Sequence, residues 1–378
     1  MGSGNAVLLM PSAFAPHVGG VEELTLRLAQ ELPRQGRPTL VLTNRWPRHL
    51  PSHDEIEGVV VLRHPMRLRT HQIRTWPRYL VSRLLEPALV KRLRGRHVGL
   101  VHVQCVSTQA DLARRLAKRL KVPLVVTMQG ELTMDATGVY ETRAMTRAWR
   151  RLLDAADAVS GCSQYVLDEA RSQHPELLSS SVAIANGVHA NVTPHARSSL
   201  PYVFAVGRLV PQKGFDVLLR ALAQTRLPHH LLLAGDGPER PALEQLCQEL
   251  GLSARVTLLG RQSHDQVLER CAAAAAFVLP SRHEPQGIVV LEAMAVGTPV
   301  LAAAVGGVPE TVRHGVNGYL FPNGDETALA ALIDKVLGAE PDQTTAAGLR
   351  VAEAYGWPHV TARYLRLYEL AERRPASR

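Results

Sequence analysis

Ser281-Arg-His-Glu-Pro-Gln-Gly-Ile-Val-Val-Leu-Glu-Ala-Met-Ala-Val-Gly-Thr-Pro-Val300 decides how this chain is read. The stretch reads as a loop, then a short helix, then a buried strand. Glu284 falls in the loop, Gly287 opens the helix, Glu292 lies on it, and Gly297-Thr298-Pro299 ends it. A helix N-terminus beside a glycine presents bare N–H groups to an anion. Glu284 and Glu292 are eight residues apart, which on a continuous helix is roughly 12 Å along the axis. That is too far for two carboxylates that share a proton or flank one bond. It suits two hydroxyl-rich groups at opposite ends of one long ligand with a phosphate between them, as in a nucleotide sugar. An ordinary amphipathic helix with solvated acids is the competing reading.

Outward from this segment the chain alternates short apolar runs with helical spacing. In the first half the expected strands are Ala6–Met10, Thr39–Thr43, Val59–Arg63, Leu100–Val103, Leu124–Thr127, Ala158–Gly161 and Val182–Ala185, with amphipathic stretches at Gly20–Pro33, Asp111–Leu120 and Thr142–Asp154. Buried runs separated by helices imply a parallel sheet covered on both faces. The polar, Pro-containing stretch Asn191–Pro201 breaks the pattern and is read as a linker. Alternation restarts with expected strands at Tyr202–Val206, Leu231–Ala234, Val256–Leu259, Ala276–Leu279, Val300–Ala303 and Gly318–Phe321. The 378 residues exceed the usual size of one domain. The expected class is therefore α/β, with two Rossmann-like, doubly wound domains facing a central cleft, where such sheets bind ligands at their strand C-termini. Domain boundaries are expected at 1–195 and 200–355, and the apolar spacing of Val360, Tyr364, Leu367, Tyr368 and Ala371 makes 356–378 a terminal helix that packs back on the first domain. A dehydrogenase shares this plan, but no Gly-x-Gly-x-x-Gly follows a strand.

Composition narrows the class further. Hydrophobic residues make up 46% and charged residues 20%, ordinary for a globular protein. No apolar run has the length needed to cross a bilayer, and the N-terminus lacks a basic segment followed by an apolar core, so a cytoplasmic protein is expected. Cys105, Cys162, Cys247 and Cys271 are scattered and read as reduced core residues, and no metal site is legible. Residues 1–199 carry 26 Lys and Arg against 16 Asp and Glu, whereas residues 200–378 carry 17 against 18. Between Arg63 and Arg96 ten basic residues accompany one acid, Glu86. Such a stretch could hold the protein at the inner face of an anionic membrane and present a lipid-linked acceptor. It could equally bind a phosphorylated soluble acceptor, or form an arginine-rich solvated face.

The loops at strand ends carry the remaining chemistry. Ala13–Glu23 joins the first strand to the first helix, and Gly19-Gly20 lets backbone approach a ligand closely. Val206-Gly-Arg-Leu-Val-Pro-Gln-Lys-Gly214 places Arg208 and Lys213 around a turn after a strand. Arg forks onto phosphate oxygens and Lys acts as a mobile point charge, so the pair could neutralise charge building on a departing diphosphate. Gly235 and Gly237 at a strand end leave room for a flat base or a sugar, and Gly260-Arg261 ends the next strand. Val126-Thr-Met-Gln-Gly-Glu131 places Gln129 and Glu131 after a first-half strand, where Glu131 reads equally as an acceptor-binding group or a solvated acid.

The segment Glu284 to Val300, with its Glu, seven residues, Glu, then Ala-Met and Gly-Thr-Pro-Val, resembles the signature of retaining glycosyltransferases of family 4, which have the GT-B fold. The resemblance is dense from Tyr202 to Phe321 and thinner from Thr43 to Leu100. It implies that Glu284 contacts the donor sugar hydroxyls and Glu292 the donor ribose, with Gly287, Ile288 and Val289 beside the donor at the helix start. It implies that Arg208 and Lys213 hold the pyrophosphate, that Gly19 and Gly20 cover the phosphates from the first domain, and that Gly235, Gly237 and Arg261 lie near the nucleotide. Many members carry His where this chain has Gln129, and Gln cannot take up a proton, though it can still hydrogen-bond a sugar hydroxyl. Asn186-Gly187-Val188 also matches and reads as a turn.

The implied function is a retaining, metal-independent glycosyltransferase of the hexosyltransferase type. It would move a sugar from a nucleoside-diphosphate sugar, UDP- or GDP-linked, to a hydroxyl acceptor in glycan, glycolipid or natural-product biosynthesis. The donor is a substrate, and no cofactor, metal or nucleic acid is expected. The acceptor could be a small molecule, a glycan or a lipid-linked group. A sugar-nucleotide epimerase of GT-B fold, or a non-catalytic sugar-nucleotide-binding protein, are the alternatives.

Overall fold

The computed structural model describes residues 5–17, 19–47, 49–66, 68, 76–132, 134, 138–177, 180–189, 201–226, 229–338 and 344–373. The chain forms two compact units, Met1–Ala185 with Trp357–Arg378, and Asn186–Gly356. Of the expected linker, Asn191–Pro201, all but Pro201 lies outside the described residues.

In the first unit the chain runs β1 (Ala6–Pro11), α1 (Gly20–Arg34), β2 (Thr39–Asn44), β3 (His53–Ile56), β4 (Val59–His64), α2 (Trp76–Arg94), β5 (Val98–Gln104), α3 (Ala110–Leu120), β6 (Leu124–Met128), α4 (Arg143–Asp154), β7 (Ala158–Gly161), α5 (Gln164–Gln173) and β8 (Val182–Ala183). The sheet order is β3-β4-β2-β1-β5-β6-β7-β8. Only β3 runs antiparallel, against β4 at the edge. The strands between the edge strands β3 and β8 are buried on both faces, as a covered parallel sheet requires. Along β1, Leu8 and Met10 enter one core with α3 and α4, while Val7 and Leu9 enter the other with α1, following the two-residue alternation of a strand.

The second unit runs β9 (Tyr202–Val206), α6 (Phe215–Gln224), β10 (His230–Ala234), α7 (Arg240–Glu249), β11 (Val256–Gly260), α8 (His264–Ala273), β12 (Ala276–Leu279), α9 (Ile288–Ala295), β13 (Val300–Ala303), α10 (Val308–Thr311), β14 (Tyr319–Phe321), α11 (Glu326–Leu337) and α12 (Thr344–Ala354). Its order is β11-β10-β9-β12-β13-β14, with all five pairs parallel. Val203 and Ala205 pack under α6 and α11, and Phe204 packs against Phe277 and α9 on the other face. The last helix, α13 (Trp357–Arg373), returns to the first unit. Its Trp357, Val360, Tyr364, Leu367, Tyr368 and Ala371 share one core with Val7, Leu9 and α1.

Both sheets reverse direction of growth at one place. In the second unit β9 sits between β10 and β12, and in the first β1 sits between β2 and β5. The crevice beyond the strand ends at such a reversal is where open α/β sheets bind ligands.

Two elements had no sequence signal. β3 is a charged edge strand, His53-Asp-Glu-Ile56, with no apolar run. α2 covers part of the stretch read only as a basic run, and its structure changes that reading. Arg63 is buried in β4, where its guanidinium pairs with Asp54 at 2.9 Å and donates to the Ala15 carbonyl at 3.0 Å. Glu86 is fully buried among Arg83, Arg115 and Arg119 at 3.0 to 3.5 Å. Arg67, Arg69 and Arg74 lie outside the described residues.

Candidate active site

In the second unit the loop after β9 and the loop after β12 lie on the two sides of the reversal, and they are fastened together. The Arg282 and His283 N–H groups donate to the Gln212 carbonyl at 2.8 and 3.3 Å. The Arg282 guanidinium forks onto Asp216 at 2.8 and 2.6 Å and donates to the Pro211 carbonyl. That hydrogen-bonded guanidinium holds the Asp216 carboxyl below its usual range. Gly214 has φ +63°, and a Cβ there would stand 2.2 Å from the Pro280 carbonyl oxygen. Only glycine permits both the left-handed turn and this approach.

The fastening brings Lys213 to Glu284. Lys213 Nζ donates to Glu284 Oε2 at 2.7 Å, and Ser281 Oγ donates to the same oxygen at 3.2 Å. Among the described residues no protein group donates to Glu284 Oε1. Glu284 is 8% exposed, so the pair lies in a setting where an ionic hydrogen bond is stronger than on a surface. The backbone of Glu284 is fixed from the other side. Gly307 N–H donates to its carbonyl at 3.1 Å, and a Cβ on Gly306 would stand 1.9 Å from that oxygen.

Three residues on, Gly287 adopts φ +85° and starts α9 with no side-chain cap. The N–H groups of Gly287, Ile288 and Val289 therefore open the helix without an internal side-chain acceptor. Glu292 lies a turn further along, with its carboxylate 3.6 Å from His264 Nδ1 at the start of α8. Because α9 begins only at Ile288, about half of the Glu284 to Glu292 spacing is loop rather than continuous helix.

Arg208 is exposed on the loop after β9 and has no side-chain hydrogen bond or ion pair among the described residues. Gly235 and Gly237 have a packing role that spacing could not reveal. A Cβ at Gly235 would stand 1.8 Å from the Gly207 carbonyl oxygen, and one at Gly237 2.3 Å from that of Leu209. These glycines seat the loop after β10 against the Arg208 loop. Arg261 is strongly exposed, 3.8 Å from Asp236.

The first unit is organised differently. Gly20 begins α1 and Gly19 caps it in an extended conformation. A Cβ at Gly20 would meet nothing within 4 Å, whereas one at Gly19 would meet the Glu22 carboxylate at 2.7 Å. An anion arriving at α1 would therefore displace Glu22. Gln129 donates from Nε2 to Gln104 Oε1 at 3.0 Å, and Gln104 Nε2 in turn reaches His102 Nε2 at 3.3 Å. The same His102 Nε2 lies 2.7 Å from Thr127 Oγ1, and its Nδ1 lies 2.7 Å from the Tyr368 hydroxyl on α13. Burial drives the His102 pKa down to about 3. Glu131 is neither solvated nor open to a ligand. It is buried, with the Val106 and Gln129 N–H groups donating to its two oxygens at 3.2 and 2.7 Å. Burial, exceeding those hydrogen bonds, pushes its carboxyl up to about 7.

Sequence reasoning did not find Ser281, Asp216, His264 or Gln286. The last is buried and accepts from the Asn186 backbone and side-chain N–H groups at 2.9 and 2.7 Å. Asn186 and Gln286 are 100 residues apart, and only the Asn-Gly-Val and Glu-Pro-Gln-Gly patterns marked them. Among the described residues no group of three or more His, Cys, Asp or Glu is placed to hold a metal.

Comparison with known proteins identifies the family and the fold. Residues 193–347 match the family described as Glycosyl transferases group 1, and residues 18–192 match Glycosyltransferase Family 4. The chain belongs to these group 1, family 4-like glycosyltransferases of GT-B fold. A D-inositol 3-phosphate glycosyltransferase of Mycolicibacterium smegmatis is 35% identical over 239 residues, which is 59% of this chain and 55% of that relative. A Methanocaldococcus jannaschii protein, named as an uncharacterized glycosyltransferase, is 37% identical over 175 residues, 45% of each chain. The matches thus span about half the length of these curated relatives. In fold, the chain resembles a sucrose-phosphate synthase from Thermosynechococcus elongatus, with TM-score 0.75, 24% identity, and 96% and 98% of the two chains covered. It also resembles HepE of Anabaena in complex with UDP and glucose, with TM-score 0.73, 22% identity, and 97% and 99% covered.

Proposed function

We propose that the protein is a retaining glycosyltransferase that transfers a hexose from a nucleoside-diphosphate sugar to a hydroxyl acceptor. The observation that carries this reading is the Lys213–Glu284 pair at 2.7 Å, set at the sheet reversal beside the uncapped start of α9. Lys213 and Arg208 are cations placed for a diphosphate, and the Gly287–Val289 N–H groups add a neutral anion-binding edge. Glu284 Oε1 is open to accept from a sugar hydroxyl while Oε2 stays on Lys213 and Ser281. Glu292 is the acceptor for the ribose hydroxyls.

In this scheme the bond from the anomeric carbon to the β-phosphate oxygen breaks, and that oxygen takes the electron pair. Lys213 and Arg208 stabilise the charge as it develops, the moment at which fixed cations lower a barrier most. The acceptor hydroxyl attacks from the face the phosphate leaves, its proton passing to the leaving phosphate, so the anomeric configuration is kept. Positive charge from Lys213 and Arg208 replaces a divalent ion in this scheme, which makes the reaction metal-independent. Donor binding is assigned to the second unit, acceptor binding to the first. HepE with UDP supports a UDP-sugar as the first donor to try, and the D-inositol 3-phosphate relative supports a phosphorylated polyol among the first acceptors.

The test is calorimetric titration with UDP, GDP, ADP and dTDP and their hexose conjugates, with and without EDTA, followed by product analysis with the donor that binds. Selective binding of one nucleotide unaffected by EDTA, with product retaining the donor's anomeric configuration, is the expected result. Inverted product would overturn the stereochemical reading. Conversion of donor to an epimer without acceptor would move the protein to the alternative class. Absence of binding for every nucleotide would remove the site.

A further inference from the structure

α2 is apolar on its outer face as well as its inner one. A surface helix ordinarily buries its apolar stripe and shows polar residues to water. α2 instead buries Ser82 at 2% exposure and Glu86 at 0%, together with Leu89, Val90 and Leu93. Its opposite face carries Leu80, Val81, Leu84 and Leu85 at 54, 51, 78 and 47% exposure. At helical spacing Leu80 with Leu84, and Val81 with Leu85, are one turn apart, so the four form one continuous ridge. Single exposed leucines are normal, whereas four contiguous ones mark an interaction surface.

The charges around the ridge have one sign. Glu86 is the only acid of α2, and it is spent inside on Arg83, Arg115 and Arg119. Two turns beyond the ridge, Lys91, Arg92 and Arg94 are exposed at the end of the helix. Arg94 also donates to the Arg119 carbonyl at 3.0 Å, which fixes its guanidinium on the surface. An apolar ridge bordered by cations, with its acid withdrawn, has the chemistry of a helix lying in the interface of an anionic bilayer. A second copy packed parallel on this face would bring Lys91, Arg92 and Arg94 against their own like charges, which disfavours that pairing, whereas anionic headgroups complement the single-sign border in any orientation. At 19 residues with internal Pro87 and several cations, α2 lies on such a surface rather than crossing it, and no helix among the described residues is long and apolar enough to cross a membrane.

We propose that α2 docks the protein on anionic membranes by inserting the Leu80–Leu85 ridge, with Lys91, Arg92 and Arg94 on the lipid headgroups. The ridge, rather than the arginines of the preceding segment, is the principal contact. This inference does not depend on the donor chemistry, because its readout is binding.

The experiment is flotation of the full chain with phosphatidylcholine vesicles and with vesicles containing about one-third phosphatidylglycerol, at low and high salt. Binding to the anionic vesicles, weakened but not abolished by salt, and little binding to neutral ones, is expected. Leu84→Ser with Leu85→Ser should lower the partition coefficient at least tenfold, while Lys91→Gln with Arg92→Gln should lower it less and remove much of the salt dependence. Leu84→Ser alone, checked by circular dichroism, serves if the double variant does not fold. Equal binding by the ridge variants and wild type would overturn the proposal, as would no binding to either vesicle. So would a wild-type dimer that the ridge variants make monomeric, with no lipid effect. Phosphatidylglycerol vesicles bound through the lysine and arginine alone would also overturn it, leaving an electrostatic patch.

Discussion

The loops beyond the two sheet reversals make opposite use of their polar groups. In the second unit, side chains fasten the scaffold and leave ligand-facing atoms open: Arg282 grips Asp216, while Glu284 Oε1 accepts from no described protein group. In the first unit, polar groups bond mainly to each other. Gln129 is held by Gln104, Gln104 reaches His102, and Glu131 is held by two backbone N–H groups. A site that must exchange a ligand keeps acceptors free on a rigid frame, whereas a self-satisfied network fixes a core. The difference accords with the proposed assignment of donor binding to the second unit and, in the same proposal, of a positioning role to Gln129.

The sharpest break of this contrast is Glu284→Ala, which should lower turnover by about 10³-fold, with Lys213→Ala lowering it by about 10²-fold; each also leaves its buried partner unpaired and should lower the melting temperature while the fold is kept. Single-turnover rates would check this, and near-wild-type rates in either variant would erase the distinction. Next comes Gly235→Ala. The contact with Gly207 at 1.8 Å and φ of +131° should destabilise the second unit by about 3 kcal/mol or more, read by urea unfolding. Gly20→Ala, which meets nothing within 4 Å, should leave stability unchanged and act only on donor affinity.

A smaller effect is expected from Glu131→Gln. Glu131 has a folded-state pKa of about 7 against an ordinary value of 4.5. Its contribution is therefore fully present below pH 4.5 and is lost as pH rises through 7. The Gln variant should gain on wild type by about 1–3 kcal/mol between pH 4.5 and pH 8. His102, with pKa about 3 against 6.5, contributes above pH 6.5 and loses that contribution as pH falls towards 3. It does so equally in both proteins and cancels from the comparison. A pH-independent difference in urea melts at pH 5 and pH 8 would show that Glu131 titrates normally. The smallest effect belongs to Gln129→Ala, with a less than fivefold loss of kcat and an unchanged donor KM. A loss as large as that of Glu284→Ala would promote Gln129 to a group that touches substrate.

The second unit was largely readable because its determinants are local. Strands buried on both faces appear as unbroken apolar runs, so β9, β12 and β13 fall at the residues their composition marks. The start of α9 is written in Gly287, whose positive φ few other residues accept. What escaped were pairings over long separations and elements defined by what they hide. Asp216 with Arg282 and Asn186 with Gln286 carry no mutual signal. α2 is apolar on both sides, so no periodicity announces it, and β3 is visible only once β4 is beside it. Gly235 and Gly237 were legible as glycines but not in purpose, because backbone carbonyls 28 residues earlier in the chain fill the space a base was expected to use.

The return of α13 to the first unit has a consequence for truncation. Residues 186–356 are contiguous and form their unit without it. Without α13 the first unit lacks Trp357, Val360, Tyr364 and Tyr368, and the face of its sheet that packs with α1 is left partly uncovered. Cutting the chain after Gly356 should therefore leave only the later unit resistant to protease, because a segment that follows the second unit in sequence is what completes the first.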